Sequence, residues 1–464
     1  MADDLVVVSN RGPVSYRVGD DGELVPRRGA GGLISTLGPA LAARAKAGGI
    51  TTDTWVAAAI SEGDRRAAAE DPAENEGVRI RLLAVDEDAY RGFYDVVSNQ
   101  TLWFAYHGLD HRPLTPSLGR AWHQAFEAYV EVNRAFAEAV AEEAPEGATV
   151  LVQDLHLSLV GGHLARERPD LATAHFAHTP FCWPDGLAVL PVERRRQLLE
   201  GLAGHGAVGF HSSRWERAFL ACCAEAEVAP PATFVSPAAV EPADLGTVAE
   251  GEDCVRRLAE MEELVGDRQL LVRVDRMELS KNVVRGFSAF ALLLEEHPEL
   301  VGRVLFVACC YPSRESLPEY AAYRDAVFAE VERVNERFGP VVDLVAEDDF
   351  PRSVAALCRA DVALINPVRD GLNMVAKELA LVNRRDAVLC LSPEAGAWEE
   401  LGGAGALAAP PFDLAGTADA LHEALTMGAD ERAERAKRLR EAASARTPTD
   451  WLGDQLRQAR TPAS

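Results

Sequence analysis

The chain has 464 residues, too many for a single hydrophobic core, so two or three domains are expected. Its net charge of −25 disfavours a nucleic-acid-binding surface. The eight cysteines form no C-x-x-C pair, which favours free thiols in a reducing cytoplasm and no zinc site. The acidic start of the chain and the lack of a long apolar run predict neither a signal peptide nor a membrane span.

The first half of the chain alternates apolar strands with helical segments. Its opening strand is followed by a glycine cluster at residues 29–33, which suits a bound anion but is as often only a turn. The aromatic-rich segment 94–107 is typical of a core or of a sugar-site wall. Strands are predicted at 5–9, 54–59, 79–83, 150–153, 173–177 and 208–211, helices at 118–143, 157–166 and 192–202, and a solvated helix and loop at 64–78.

Prolines at 230, 231 and 237 predict a connection, with a domain boundary near residue 238. The second half then repeats the alternation, which predicts two α/β domains with doubly wound parallel sheets facing one cleft. The domains are assigned to 1–238 and 239–446, and 447–464 to a C-terminal helix for which packing on the first domain is one option. Strands are predicted at 270–274, 304–308, 341–345, 362–365 and 387–391, and helices at 283–296, 319–338, 353–359, 375–382, 414–426, 430–445 and 451–459.

Basic residues follow the predicted strands of the second half. Arg276 and Lys281 come after one strand and Arg314 after the next, so all three are expected at the carboxyl edge of one sheet. A single basic pair is more often a solvated one. Three basic groups on one edge of an acidic protein favour a bound phosphate or diphosphate.

Residues 366–378 form a strand end, a tight turn and a helix start at the same edge. Gly371 lets the chain turn, and a helical pattern runs from Asn373 onward. The first turn of that helix offers N–H groups to a phosphate, with Asp370 before it and Glu378 inside it. An ordinary surface loop is the alternative, and this stretch alone leaves the two equally favoured. In the first half, Asp154 and His178 also follow strands.

Short motifs occur in order along residues 5–426. They are S-N-R at 9–11, G-G-L at 31–33, Tyr94 followed by L-W at 102–103, Q-D-L-H-L at 153–157, H-T-P-F at 178–181, R-M-E-L-S-K at 276–281, P-S-R at 312–314 and R-D-G-L-N-M-V-A-K-E at 369–378. This series resembles the trehalose-6-phosphate synthases, which are family 20 glycosyltransferases of the GT-B type. The resemblance implies two Rossmann-like domains facing a cleft and a retaining, metal-independent enzyme. It would move glucose from a nucleoside diphosphate glucose to glucose 6-phosphate, giving α,α-trehalose 6-phosphate with no cofactor.

The resemblance also implies residue roles. The donor-binding set would be Gly31, Gly32, Arg276, Lys281, Asp370, Gly371, Asn373, Met374, Val375 and Glu378. The acceptor-binding set would be Arg11, Trp55, Tyr94, Trp103, Asp154 and Arg314. The catalytic set would be Asp154, His178, Arg276, Lys281 and Asp370. No metal ligand and no general base is assigned, since the leaving phosphate can take the acceptor's proton. A covalent role for Asp370 is a competing assignment that the resemblance disfavours.

The chain departs from the family motifs at several positions. The segment 55–59 lacks the second tryptophan of W-x-G-W-x-G, and Gln153 replaces a histidine. Leu155 and Leu279 replace tyrosines, and Asn366 stands where many members have threonine. These departures bear on the nucleotide base more than on the reaction, and GDP-glucose is slightly favoured over UDP-glucose. A pseudo-glycosyltransferase resembling validoxylamine 7'-phosphate synthases, a synthase for another phosphorylated acceptor, and an inactive sugar-phosphate sensor stay open. A cytoplasmic protein without nucleic-acid or membrane partners is expected, and a homo-oligomer is left open.

Overall fold

The computed structural model describes residues 4–19, 21–29, 32–48, 53–69, 73–75, 77–109 and 118–461. The chain divides into two compact units. The first comprises Met1–Ala238 and Pro448–Ser464, and the second comprises Ala239–Thr447. The end of the chain therefore belongs to the unit that contains its beginning. Within the described residues, no helix has the length and apolar character that a membrane crossing requires.

The first unit is built on an eight-stranded sheet in the order β10-β9-β8-β7-β1-β4-β6-β5, and β2 and β3 form a separate hairpin. The strands are β1 Leu5–Ser9, β2 Val14–Val18, β3 Leu24–Arg28, β4 Thr54–Ala58, β5 Ala73–Asn75, β6 Val78–Leu83, β7 Thr149–Gln153, β8 Ala172–Ala177, β9 Ala207–Phe210 and β10 Ala232–Val235. Neighbouring strands of the large sheet run parallel except β5 and β6. Because its central strands are covered on both faces, they read as unbroken apolar runs.

Helices cover both faces of this sheet. The long helix Arg120–Glu143 buries Trp122, Phe126 and Tyr129, which recur at helical spacing on one side. The C-terminal helix Pro448–Ala459 packs against β7 and β8, with Trp451 fully buried. The remaining helices are Gly32–Gly48, Glu62–Ala67, Glu87–Arg91, Trp103–Tyr106, Val160–Glu167, Pro184–Leu187, Val192–Ala203 and Ser213–Glu225, with a π-helix at Gly92–Leu102 and a 3-10 turn at Leu155–Leu157.

The second unit contains a six-stranded sheet in the order β13-β12-β11-β14-β15-β16, in which all neighbouring strands are parallel. The strands are β11 Gln269–Arg276, β12 Val304–Tyr311, β13 Val342–Val345, β14 Val362–Ile365, β15 Val388–Leu391 and β16 Leu407–Ala408. The helices are Pro242–Glu250, Glu252–Val265, Val283–Glu296, Pro318–Phe338, Phe350–Arg359, Met374–Val382, Trp398–Leu401, Leu414–Thr426 and Ala429–Ala443, with 3-10 turns at Leu279–Lys281 and Pro298–Leu300. Phe287, Phe290 and Phe306 pack at the centre of its core.

Some strands escape sequence-based prediction for identifiable reasons. β5 is a three-residue edge strand whose sequence, Ala-Glu-Asn, has no apolar pattern. β10 lies between prolines that predict a connection, and prolines are tolerated beside it because it is an edge strand. β16 is only two residues long. The eight cysteines all lie within the described residues, where they are buried and form no disulfide.

Candidate functional site

An ion-pair network lies at the carboxyl edge of the second unit's sheet. The 3-10 turn after β11 carries Lys281, whose Nζ lies 2.5 Å from Asp370 Oδ2 and 3.9 Å from Asp275 Oδ1. Burial opposes the charge on Lys281, but Asp370 and Asp275 outweigh it, so the pKa of Lys281 lies above its ordinary value. The site therefore holds a fixed cation at neutral pH. An incoming anion would compete with Asp370 for it.

Beneath this pair lies Arg273, a residue that sequence reasoning missed. Its side chain is fully buried, and its Nε donates to Asp275 Oδ2 at 2.9 Å. Its Nη1 donates to Asn366 Oδ1 at 2.7 Å, and its Nη2 donates to the Lys281 carbonyl. Gly286 leaves room for the guanidinium, since a Cβ there would lie 2.4 Å from Nη1. The signal in the sequence was a charged residue inside the apolar run of β11.

A second cluster on the same edge gathers two of the predicted basic residues around Glu278. This carboxylate is buried and accepts from Arg276 Nη1 at 2.8 Å, Arg314 Nη1 at 3.4 Å and Ser313 Oγ at 3.1 Å. Arg314 also donates to the Tyr320 hydroxyl at 2.8 Å, and its backbone has a φ of 49°. Because a positive φ is strained for a residue with a side chain, Arg314 is held in place rather than loosely solvated.

The helix Met374–Val382 begins beside Asp370, as the turn in residues 366–378 predicts. Asn373 caps it by accepting from the Ala376 N–H at 3.2 Å, and its Nδ2 donates to Asp370 Oδ2 at 3.1 Å. The N–H groups of Met374 and Val375 belong to the first turn, where no partner exists within the helix. Asp370 thus lies between Lys281 and a helix N-terminus. This is favourable for binding a phosphate nearby.

Glu378 lies about one turn further along the same helix and is half-buried. Burial raises the pKa of Glu378 to about 7. The charged and the neutral form of Glu378 are therefore both populated at neutral pH, so a bound ligand can shift the balance between them. Gly371 is buried in the turn that precedes the helix, where the chain folds back on itself.

In the first unit, Asp154 follows β7 and adopts a φ of 71°. Its Oδ1 is buried and has no hydrogen-bond partner among the described residues. Its Oδ2 lies 3.8 Å from His156 Nδ1. A strained backbone that holds an unsatisfied carboxylate oxygen at a strand end is typical of a ligand-binding position.

Aromatic side chains line the neighbourhood of Asp154. Tyr94, in the π-helix, stacks on His156 with ring centroids 5.5 Å apart and planes at 12°. Tyr90 stacks on the other side of Tyr94 at 5.5 Å, and exposed Arg11 donates from Nη2 to the Tyr94 hydroxyl at 3.3 Å. The structure thus brings together Arg11, Tyr94 and Asp154. His156 and Tyr90, which link them, were not predicted as site residues.

His178 follows β8 on the same sheet and is half-buried. Its Nε2 lies 2.9 Å from Gln153 Oε1, and its Nδ1 lies 3.3 Å from His211 Nε2. Burial lowers the pKa of His178, with Asp154 opposing that effect. His178 is therefore neutral at pH 7 and fully engaged with its neighbours.

Two of the predicted acceptor residues take core positions. The Trp55 ring is 1% exposed and donates from Nε1 to Ser9 Oγ at 2.8 Å. Trp103 is 4% exposed and stacks on His107 at 4.1 Å. Because both rings are covered, neither presents a face on which a sugar could pack within this unit. Gly31 lies outside the described residues, and Gly32 begins the helix Gly32–Gly48.

Comparison with known proteins places these features in a family. The model of glycosyltransferase family 20 matches residues 3–461. A bifunctional trehalose-6-phosphate synthase/phosphatase of Thermoproteus tenax is 33% identical over 472 residues, covering 97% of this chain and 62% of the relative, so the chain spans less than two thirds of that protein. A trehalose-6-phosphate synthase of Mycobacterium sp. (strain JLS) is 33% identical over 478 residues, covering 97% of this chain and 94% of the relative.

Solved structures agree on the fold. A trehalose-6-phosphate enzyme from E. coli bound with UDP-2-fluoro glucose superposes with a TM-score of 0.86 at 24% identity, covering 99% of this chain and 100% of that one. An alpha,alpha-trehalose-phosphate synthase (UDP-forming) from Burkholderia vietnamiensis gives 0.83 at 26% identity, covering 98% and 99%. The expected GT-B fold with two Rossmann-like domains is confirmed. The chain belongs to glycosyltransferase family 20, and it is a glycosyltransferase of the trehalose-6-phosphate synthase type.

Proposed function

We propose that this chain transfers glucose, with retention of configuration, from a nucleoside diphosphate glucose to glucose 6-phosphate, giving α,α-trehalose 6-phosphate. Relatives at 33% identity over 97% of the chain carry the synthase name, which supports the reaction. The observation that carries the proposal most directly is the Lys281–Asp370 pair, 2.5 Å apart at the start of the helix Met374–Val382. A fixed cation beside a helix N-terminus is suited to a diphosphate.

The donor would occupy this edge of the second unit. Lys281 and Arg276 would bind the diphosphate together with the N–H groups of Met374 and Val375. Arg276 supports this role because 44% of its side chain is exposed although it is paired with Glu278. Asp370, released from Lys281 by the diphosphate, would accept hydroxyl groups of the donor sugar. Glu378 would accept from the ribose hydroxyls.

The resemblance assigns the acceptor contacts to Arg11, Tyr94 and Asp154 of the first unit and to Arg314 of the second. Arg11 and Arg314 are the cations suited to a sugar phosphate. The unpartnered Oδ1 of Asp154 supports its role as an acceptor for a sugar hydroxyl. Tyr94, held between Tyr90 and His156, would be a rigid wall beside that hydroxyl.

The chemistry follows from charge placement. The bond from the donor's C1 to the diphosphate oxygen breaks, and Lys281 and Arg276 stabilise the charge that develops on the diphosphate. The acceptor hydroxyl attacks C1 from the same face, and its proton passes to the departing phosphate oxygen. A covalent intermediate on Asp370 is disfavoured because its Oδ2 still accepts from Asn373 Nδ2 after Lys281 has turned to the diphosphate, which lowers its nucleophilicity.

The donor's base is the finer part of the proposal. The Burkholderia relative described as UDP-forming supports UDP-glucose. The slight preference for GDP-glucose rests only on the departures from the family motifs, Asn366 among them. Asn366 has a structural partner in Arg273, which accounts for it without reference to the base. Both donors therefore belong in the test.

The test is release of nucleoside diphosphate by purified protein from UDP-glucose or GDP-glucose. We expect release that depends on glucose 6-phosphate and is abolished in Lys281→Met. A panel with fructose 6-phosphate, unphosphorylated glucose and an amino-cyclitol phosphate separates the alternative synthases. No release from either donor with any acceptor, by protein that binds both ligands, would instead indicate an inactive sensor.

A further inference from the structure

His178 belongs to a continuous chain of hydrogen bonds within the first unit. It starts at the Ala238 backbone N–H, which donates to His211 Nδ1 at 3.3 Å. His211 Nε2 lies 3.3 Å from His178 Nδ1, and His178 Nε2 lies 2.9 Å from Gln153 Oε1. Gln153 Nε2 then donates to Gln455 Oε1 at 3.0 Å. Four side chains are thus linked end to end, and the last lies on the C-terminal helix.

The direction of this chain is set at its first bond. A backbone N–H can only donate, so His211 Nδ1 must accept, and a neutral His211 then carries its hydrogen on Nε2. That hydrogen points at His178 Nδ1, which must accept in turn. A neutral His178 therefore carries its own hydrogen on Nε2. The Gln153 amide is oriented to match, with its oxygen toward His178 and its NH2 toward Gln455.

Protonation of either ring would break this order. A proton on His178 Nδ1 would face the Nε2–H of His211, and a proton on His211 Nδ1 would face the Ala238 N–H. Both rings also lie in a buried region, and burial lowers the pKa of His178. The titratable groups near them are Asp154, which favours the charged form of His178, and His175, which is itself buried with a lowered pKa.

The C-terminal helix supplies the far end of the chain. Gln455 is 1% exposed, and Gln153 is fully buried beside it. Two further contacts fix the helix on the sheet: Ser236 Oγ donates to Asp454 Oδ2 at 2.7 Å, and the Trp451 ring lies 5.7 Å from the His178 ring. The helix thus holds Gln455 at a defined place relative to His178.

We propose that His211, Gln153 and Gln455 are positioning residues that hold His178 as the neutral Nε2–H tautomer, so that His178 contacts the donor sugar only as a hydrogen-bond donor. This rests on the proposed function together with the role that the resemblance implies for His178, a contact with the donor sugar. A sugar oxygen at His178 Nε2 would accept this hydrogen either together with Gln153 Oε1 or in its place. His178 then takes no part in moving the acceptor's proton, which passes to the departing phosphate.

The tautomers can be measured without turnover. Protein labelled with 15N in histidine gives long-range 1H–15N spectra, in which His178 and His211 are identified from their single substitutions. We expect both rings as Nε2–H tautomers at pH 7. An Nδ1–H tautomer or an imidazolium for His178 overturns the proposal, whether or not the protein proves to be a trehalose-6-phosphate synthase. Absence of synthase activity with these tautomers in place would count against the proposed function alone.

The far end of the chain is tested by Gln455→Leu, with Gln458→Leu on the same helix as the matched control. Losing the hydrogen bond to Gln153 should lower kcat/KM for the donor by roughly 3- to 10-fold, the factor that corresponds to the net free energy of one hydrogen bond. It should also broaden the His178 tautomer signal. Gln458→Leu should change neither. Equal effects of the two variants would show that Gln455 only stabilises the helix, against the proposal.

The near end is tested by His211→Phe, which keeps a ring but removes the donor to His178 Nδ1. That nitrogen can then take a proton, so the acid limb of kcat/KM against pH should move to higher pH. A loss of activity with an unchanged pH profile would mean that His211 only fills space.

Discussion

Substitution of the buried Arg273 tests how the second unit holds the basic residues at the carboxyl edge of its sheet. Arg273→Met keeps the length of the side chain and removes three hydrogen bonds, to Asp275, to Asn366 and to the Lys281 carbonyl. Among the described residues, Asp275 then stays buried with Lys281 as its one remaining cationic partner, at 3.9 Å. The variant therefore leaves a buried carboxylate short of a partner and draws Lys281 away from Asp370.

The expected cost follows from that unpaired charge. Removing one partner of a buried ion pair costs about 3–5 kcal/mol. For a unit of this size, each kcal/mol lowers Tm by roughly 2–4 °C, so a drop of about 10 °C is expected. Donor KM should also rise, because in the variant Asp275 draws Lys281 away from Asp370 and so from the proposed diphosphate position. Arg273→Met with Asp275→Asn removes both charges and should recover most of the lost Tm and donor KM.

Thermal unfolding monitored by calorimetry and donor KM measured for the same samples provide the assay. Arg276→Met is the matched control, since Arg276 ends the same strand but is 44% exposed. It should raise donor KM with a shift in Tm of only a few degrees at most, because Arg276 is half-exposed and the buried Glu278 keeps Arg314 and Ser313 as partners. An unchanged Tm in Arg273→Met, or a double variant no better than the single one, would refute the account of this network.

Three further predictions concern substrate contacts. Arg314→Ala should raise acceptor KM far more than donor KM. The expected cost is about 2–5 kcal/mol, the value of a lost charge-assisted pair. Equal effects on both substrates would contradict the assignment of Arg314 to the acceptor. Asp154→Asn should lower kcat/KM for the acceptor about 10- to 100-fold, the value of hydrogen bonds to a charged group, while Tm stays unchanged because Oδ1 has no partner within the described residues. Burial raises the pKa of Glu378 to about 7, and ribose hydroxyls bind its carboxylate form, so donor KM should fall as pH rises from 6 to 8. Glu378→Gln should flatten that dependence, and a wild-type donor KM independent of pH would show that Glu378 does not bind the donor.

Sequence patterns could locate site residues wherever a strand end was enough to place them. Arg276, Lys281 and Asp370 follow apolar runs, and parallel strands bring their carboxyl ends to one edge. The turn at Gly371 and the helix after Asn373 were equally visible, because glycine and a capping side chain mark them locally. These features depend on short stretches of chain.

Partners that depend on distant packing could not be predicted. Gln153 and Gln455 are 302 positions apart, and they meet only because the C-terminal helix packs on the first sheet. Glu278 was visible only as one letter of the R-M-E-L-S-K motif, and its role as the common partner of two arginines required the neighbouring strand. The resemblance assigned Trp55 and Trp103 to the acceptor, but a short motif does not show whether the rest of the unit covers a ring.

The account's central claim is the product itself and its stereochemistry. Donor labelled with 13C at the glucose C1, incubated with glucose 6-phosphate and the purified protein, should give a disaccharide phosphate whose labelled carbon shows the α configuration by NMR. The second anomeric carbon should also be α and joined through the same oxygen, with the phosphate on the unlabelled ring. A β configuration at the labelled carbon, or labelled free glucose without any disaccharide, would contradict the account.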